Sequence, residues 1–107
     1  MEQLTSSQRR YLSRLAHDLD PVVMIGKNGF TASVVAAVDQ ALDCHELIKV
    51  RFVDYKADRV TISEQLADQS FAAIVRVIGN VAVLYRPHRE SEKRRFKLPV
   101  ASSATTV

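Results

Sequence analysis

The sequence lacks the features that mark secreted and membrane-spanning proteins. A single cysteine, Cys44, cannot form an internal disulfide, and no apolar run approaches the roughly 20 residues of a membrane helix. The first ten residues contain no apolar segment of signal-peptide length. We therefore expect a reducing, cytoplasmic setting without membrane contact.

Catalytic and metal-binding patterns are missing as well. Cys44-His45 is the one pair that suggests a metal or nucleophile site, and we reject it because the other histidines, His17 and His88, have no cysteine or carboxylate at the spacing of metal ligands. No Ser-His-Asp arrangement is evident. The Gly-x-x-x-x-Gly-Lys-Ser/Thr order of a P-loop is also absent. We therefore predict no enzymatic activity, no cofactor and no metal, and we interpret Cys44 as a small buried hydrophobic residue.

The composition fits one soluble domain with an anionic partner. Of the 107 residues, 47% are hydrophobic and 25% are charged, which suits a single core under a polar surface. There are 15 basic and 12 acidic residues, and the pI is near 9.3. Because the basic residues cluster, a polyanion is the favoured partner. We expect a monomer with one domain over residues 1–99 and a flexible tail over residues 100–107.

Hydrophobic spacing predicts a single domain of the αβαβαββ order. Helices are predicted over residues 6–17, 31–44 and 58–70, and strands over 22–25, 47–53, 72–78 and 81–86. Thr5 and Gln8 have the spacing of a capping box at the first helix, and Gly79-Asn80 is typical of a two-residue hairpin turn. The hairpin is apolar on both faces, which predicts an α/β fold with a four-stranded mixed sheet between helices. The first helix is expected on the face that the other two leave open.

Side-chain patterns give finer expectations for these elements. The first strand has no polar alternation, which is typical of an interior strand covered on both faces. The hairpin turn predicts that Ile74 shares a face with Val83, and that Val75 shares the other face with Leu84. Arg76 is expected to pair with a carboxylate. The first helix is predicted to bury Leu12, Leu15, Ala16 and Leu19.

The segment that best indicates a function follows the first strand directly. Gly26-Lys27-Asn28-Gly29 is a Gly-x-x-Gly loop that leads into the second helix, where Thr31 is a predicted N-cap. Two glycines allow the backbone to approach a phosphate closely, and Lys27 adds a positive charge. The helix dipole favours an anion at the same place. The pattern predicts a site that holds a nucleic-acid backbone without reading its bases.

Basic residues outside the loop extend this hypothesis. Arg9, Arg10 and Arg14 lie on one side of the first helix, and a basic arm covers residues 88–97. These groups and Lys27 would form one electropositive track if they lie on the same side of the fold. Tyr55 and Phe96, in polar surroundings, are candidates for stacking on unpaired bases. The predicted RNA contacts in and beside the arm are Arg86, Arg89, Lys93, Arg94 and Arg95.

Several short motifs, taken in order, resemble one family. They are Leu15-Ala16-His17, Pro21-Val22-Val23, Ile25-Gly26-Lys27-Asn28-Gly29, His45-Glu46-Leu47-Ile48-Lys49-Val50, Val77-Ile78-Gly79 and Leu84-Tyr85-Arg86. Together they resemble the CRM domain, the chloroplast RNA splicing and ribosome maturation module, in its single-domain bacterial YhbY-like form. The resemblance implies a fold similar to the C-terminal domain of a bacterial translation initiation factor. It also implies a non-enzymatic protein that binds ribosomal RNA in large-subunit precursors, with residues 26–29 as the RNA-binding loop.

Other interpretations of the same residues stay open. In these interpretations the glycines serve only a tight turn, the arginines of the first helix form an ordinary solvated surface, and the arm is a solubilising end. A small nucleotide or phosphometabolite site at the second helix is one alternative function. A protein-interaction module that uses the basic arm against an acidic partner is another.

Overall fold

The computed structural model of the chain describes residues 4–99, which form three helices and one four-stranded mixed sheet. The sheet order is β1-β2-β4-β3, with β1 parallel to β2 and the other pairs antiparallel. This confirms the predicted αβαβαββ order and mixed sheet. The predicted tail, residues 100–107, lies outside the described residues. The elements in chain order are α1 Ser6–Ala16, β1 Val23–Ile25, α2 Ala32–His45, β2 Leu47–Phe52, α3 Arg59–Gln69, β3 Ala73–Ile78 and β4 Val81–Tyr85.

Side-chain caps define where α1 and α2 begin. At α1, the Gln8 amide N–H donates to Thr5 Oγ1 at 3.2 Å, and the Thr5 amide N–H donates to Gln8 Oε1 at 3.0 Å. This is the predicted capping box. At α2, Thr31 Oγ1 accepts a hydrogen bond from the Val34 amide at 3.2 Å. These caps fix the direction in which each helix leaves its preceding loop.

The sheet separates two apolar cores. One core lies between the sheet and the α2–α3 pair, and it includes Ile25, Phe52 and Leu66. The other lies between the sheet and α1, and it includes Leu12 and Tyr85. Each fully buried side chain of this size contributes about 1.5–3 kcal/mol to folding. Helices therefore cover both faces, and α1 covers the face opposite α2 and α3, as predicted.

Coverage by α1 is incomplete, and two predictions of burial are wrong. The strand β1 is an edge strand, not an interior one, and 51% of Met24 is exposed because α1 packs against β2 and β3. Leu12 and Ala16 of α1 are buried, but Leu15 and Leu19, which lies beyond the end of α1, are each 39% exposed. The helix thus buries a narrower stripe than its apolar spacing indicates.

A register shift in β3 changes which side chains face each core. Ile74 pairs with Leu84 and Arg76 pairs with Val83, so Val75 is an extra residue in β3. Ile74 packs in the α2–α3 core, and Val75 packs in the α1 core. The predicted faces of Ile74 and Val75 are therefore exchanged, because hairpin-turn spacing carries no sign of a bulge four residues before the turn.

Candidate functional site

The Gly-x-x-Gly loop lies at the end of the sheet where β1 and β2 finish. The Gly29 amide donates to the Gly26 carbonyl oxygen at 3.0 Å, which closes a tight turn. Gly29 has a φ of 67°, in the left-handed region that favours glycine. Lys27 and Asn28 are exposed, and their amides have no acceptor among residues 4–99. The turn therefore presents two free N–H groups and one ammonium group to solvent.

Tyr55 supports this loop from the neighbouring connection. Its hydroxyl donates to the Lys27 carbonyl oxygen at 2.9 Å. Its ring carbon Cε2 lies only 3.0 Å from the position that a Cβ on Gly29 would occupy. These two contacts hold the Tyr55 side chain against the loop, so its ring is not a free stacking platform. Sequence spacing did not indicate this contact, which joins residues more than twenty positions apart.

The loop and the start of α2 together suit a phosphate. Thr31 satisfies the Val34 amide, and Phe30 packs against the core just before the cap. The N-cap of α2 therefore has a fixed position two residues after Gly29. Exposed amides, Lys27 and the positive end of the helix dipole all favour an anion there. None of these groups selects a particular base.

The arginines of α1 line a second basic feature. Arg9, Arg10 and Arg14 border a groove of about 550 Å³ between α1 and β3. Arg76 and His17 also line it, and no acidic residue is among its described lining residues. No carboxylate of residues 4–99 lies within 4.0 Å of Arg76, so the predicted ion pair is not formed among the described residues. The structure thus adds Arg76 to the basic group of α1.

Arg86 has a different environment. Its Nη1 donates to Asp39 Oδ1 at 2.6 Å and to the Ser70 carbonyl oxygen at 2.7 Å. Its Nη2 donates to Asp43 Oδ1 at 2.8 Å and to the Asp39 carbonyl oxygen at 2.9 Å. Only 18% of the side chain is exposed. The guanidinium connects α2, the end of α3 and the end of β4, which makes it a poor candidate for an RNA phosphate.

The basic arm is fixed by a buried carboxylate that sequence reasoning missed. Glu46 follows α2, is 2% exposed and has a φ of 63°. Its Oε2 accepts from the His88 amide at 2.7 Å, and its Oε1 accepts from the Arg95 amide at 2.6 Å. The positive φ of this non-glycine residue and its burial have no signature in the sequence pattern. Glu46 therefore sets the path of the arm.

Aromatic packing also ties the arm to the α1 core. Phe96 is half-buried, and its ring lies edge-on to Tyr85 with 6.4 Å between centroids. Burial, and the nearby Glu46 carboxylate, raise the pKa of the Tyr85 phenol above its ordinary value. Phe96 is therefore part of the packing, not the free stacking platform that its polar neighbours indicate. Tyr85 itself lies in the α1 core.

The loop and the arm do not adjoin. The loop is next to Phe52 at one end of β2, whereas β4 ends opposite Leu47 at the other. Six residues of strand place about 17 Å between these ends. The arm instead reaches the first turn of α1, where Gln8 Nε2 donates to the Pro99 carbonyl oxygen at 3.0 Å. The arm residues Arg89, Lys93, Arg94 and Arg95 are exposed, with Lys93 Nζ 2.9 Å from Glu90 Oε2.

Residues 4–99 contain neither a membrane-spanning helix nor a metal-binding cluster. No helix of residues 4–99 is long and apolar enough to cross a membrane. No group of three or more His, Cys, Asp or Glu side chains in that range is placed to hold a metal ion. Cys44 is exposed on α2, so the prediction that it is buried is wrong.

Comparison with known proteins places these features in a family. Residues 4–86 match the family model of the CRS1 / YhbY (CRM) domain. A Haemophilus influenzae protein named "RNA-binding protein" is 44% identical over 102 residues, covering 92% of this chain and 98% of that protein. The Bacillus subtilis protein YqeI, named a probable RNA-binding protein, is 34% identical to this chain. The match covers 90% of this chain and 99% of YqeI.

A solved structure shows the same fold. The solution structure of the Staphylococcus aureus protein SAV1595, described as a candidate RNA-binding protein, superposes with a TM-score of 0.75. The two chains are 36% identical, and the match covers 90% of this chain and 99% of the other. By sequence and by fold, this chain belongs to the CRS1/YhbY (CRM) domain family.

Proposed function

We propose that this protein binds RNA by holding the ribose-phosphate backbone at the loop formed by residues 26–29. The observation that carries the proposal is the exposed turn itself. It presents the amides of Lys27 and Asn28 beside the start of α2, and Tyr55 supports it from behind. A backbone grip of this kind positions an RNA without selecting a sequence.

Basic side chains elsewhere supply further phosphate contacts in this proposal. The α1 groove contributes Arg9, Arg10 and Arg14, and the arm contributes the exposed residues Arg89, Lys93, Arg94 and Arg95. The names of the relatives, which describe RNA-binding proteins, support RNA as the polyanion. Arg86 is left out, because four hydrogen bonds within the protein use its guanidinium.

The cellular role that we propose is assembly of the large ribosomal subunit. In it, a monomeric, cytoplasmic protein binds precursor ribosomal RNA without catalysing a reaction; the family resemblance implies the RNA partner and the lack of catalysis. Sedimentation of the tagged protein through a sucrose gradient tests this role. We expect it to accompany large-subunit precursors in preference to mature ribosomes. Equal distribution over both, or sedimentation with neither, would refute the assembly role.

RNA binding itself is tested by its dependence on salt and on length. An RNA clamp needs several nucleotides and loses affinity steeply as salt rises. Lys27→Ala should weaken binding across sequences and lower the salt slope by about one unit. A site saturated by a mononucleotide would instead favour the phosphometabolite alternative. Binding to an acidic protein without salt-dependent RNA binding would favour the protein-interaction alternative.

The domain boundary is part of the same proposal. We expect residues 1–99 to contain the whole RNA-binding unit, because Pro99, just after the arm, is hydrogen-bonded to Gln8 of α1. A chain shortened by residues 100–107 should therefore bind RNA with unchanged affinity. A marked loss of affinity would place RNA contacts in the segment that follows the domain.

A further inference from the structure

Part of the sheet face on the α1 side is left uncovered next to the loop. Here Met24 of β1 pairs with Arg51 of β2, Arg51 pairs with Val81 of β4, and Val81 pairs with Ile78 of β3. These four residues form one row across all four strands. The row lies at the end of the sheet from which the Gly-x-x-Gly loop leaves, two positions after Met24.

The alternation of the strands fixes the direction of this row. The neighbours Val23, Val50, Val77 and Ala82 all pack in the α2–α3 core. Because successive side chains of a strand point to opposite faces, the row faces the α1 side. Met24 and Ile78 in the row are each 51% exposed, whereas the neighbours on the opposite face pack in the α2–α3 core. The row therefore presents three apolar side chains that no helix of residues 4–99 covers.

Positive charges accompany this apolar row. Arg51 lies inside it and is exposed. Lys49 and Arg76, which both pair with Val83, lie in the adjacent row towards α1. Lys49 Nζ donates to the carbonyl oxygen of His17 at 3.0 Å, which holds that ammonium group at the end of α1. The two rows contain no acidic residue, so their charge complements a polyanion.

We propose that this surface, formed by Met24, Lys49, Arg51, Arg76, Ile78 and Val81, binds the unpaired bases of a single-stranded RNA. The inference rests on the proposed function and names the class of RNA: the loop holds the backbone, and the adjoining sheet face receives the bases. Apolar side chains on a sheet can contact a base plane only when the base is unstacked. A paired strand hides those planes, so the surface discriminates against duplex RNA.

Charge favours RNA over a protein partner at this surface. Three cations lie within two adjacent rows, and the apolar side chains stand between them. That pattern matches bases on a phosphate chain, whereas an ordinary protein interface has few charges at its centre. The surface is also continuous with the loop through β1, so one strand of RNA can contact both.

Fluorescence anisotropy with a labelled RNA tests the inference. The probe is a mixed-sequence RNA of about 12 nucleotides, either single-stranded or annealed to its complement. We expect the single strand to bind at least about tenfold more tightly than the duplex. The double variant Met24→Ser/Ile78→Ser should lower single-strand affinity by about tenfold, through loss of two apolar contacts. Duplex affinity should change less than about twofold, because paired bases do not reach the surface.

Matched variants separate this effect from loss of folding and from the loop. Val60→Ser removes a side chain of similar exposure, 52%, from α3 and should leave RNA binding unchanged. Arg51→Ala tests the same surface through an exposed side chain and should also weaken single-strand binding. Circular dichroism checks that each variant keeps its helices and strands.

The outcomes distinguish failure of this inference from failure of the proposed function. If Lys27→Ala weakens RNA binding but the Met24, Ile78 and Arg51 variants bind like wild type, the inference is wrong and the proposed function stands. If Lys27→Ala also has no effect, both fail. Binding of a poly-glutamate peptide that these variants abolish, with RNA binding intact, would assign the surface to a protein and overturn the inference.

Discussion

Replacing Gly29 with alanine should destabilise the protein, whereas the same change at Gly26 should not. Gly29 has a φ of 67°, and an alanine in the left-handed region costs about 1–2 kcal/mol. The new Cβ would lie 3.0 Å from Tyr55 Cε2, so the ring must shift. Weakening the Tyr55 hydroxyl bond to Lys27 adds about 0.5–1.5 kcal/mol. We expect Gly29→Ala to lower the free energy of unfolding by about 2–3 kcal/mol.

Gly26 is the matched control within the same loop. A Cβ on Gly26 meets no atom within 4 Å, and its φ lies outside the left-handed region. Gly26→Ala should therefore change the free energy of unfolding by less than about 0.5 kcal/mol. Urea denaturation measures both variants. In thermal denaturation, Gly29→Ala should lower Tm by about 8–20 °C.

A double-mutant cycle separates the two causes. In a Tyr55→Ala background the ring contact is gone, so Gly29→Ala should cost only the backbone term of about 1–2 kcal/mol. Equal stability of Gly26→Ala and Gly29→Ala would refute this account of the loop. So would an unchanged cost of Gly29→Ala when Tyr55 is absent.

Three further predictions concern the structure around the arm. Glu46→Gln replaces one of the two carboxylate acceptors of the His88 and Arg95 amides by a donor, so it should release the arm. We expect trypsin to cleave after the arm arginines faster than in wild type, and equal rates would contradict this. Arg86→Ala should lower the free energy of unfolding by about 1–2 kcal/mol, a range that allows for solvent screening of its exposed aspartate partners. A urea midpoint like that of wild type would argue against a bridging role for Arg86. Because the pKa of Tyr85 is raised in the folded state, the neutral phenol's contribution to stability is complete below the unfolded pKa of 10.0 and declines as pH rises further. Tyr85→Phe should reduce this alkaline decline in the free energy of unfolding. An identical pH profile for the variant and wild type would count against this prediction.

The order of elements was predictable because local signals agree with tertiary packing. Thr5 with Gln8 and the Gly79-Asn80 turn each act within a few residues, so the sequence shows them directly. The apolar character of both hairpin faces also predicted helices on both sides. Such signals place an element, and they indicate which side of it is buried.

The misplaced predictions depend on contacts between distant residues. The bulge at Val75 exchanges two side chains, although the flanking strand pattern stays apolar. Exposure of β1 depends on where α1 ends across the sheet, which no local pattern specifies. Hairpin spacing therefore predicted the correct strands but assigned Ile74 and Val75 to the wrong faces of the sheet.

Sequence reasoning located the candidate loop but not its support. Gly26 and Gly29 stand out by their spacing, whereas Tyr55 reaches the loop from another connection. Glu46 likewise fixes the arm from more than forty residues away. These supporting residues carry no motif, because their role exists only in the folded arrangement.

RNA binding by Gly26→Asp tests the central claim most directly. The position has open space and tolerates a side chain, so the variant should fold like Gly26→Ala. It places a carboxylate where the phosphate is proposed to lie, and we expect affinity for a single-stranded RNA to fall at least about tenfold relative to Gly26→Ala. A folded Gly26→Asp protein that binds RNA as tightly as Gly26→Ala would show that the loop is only a turn.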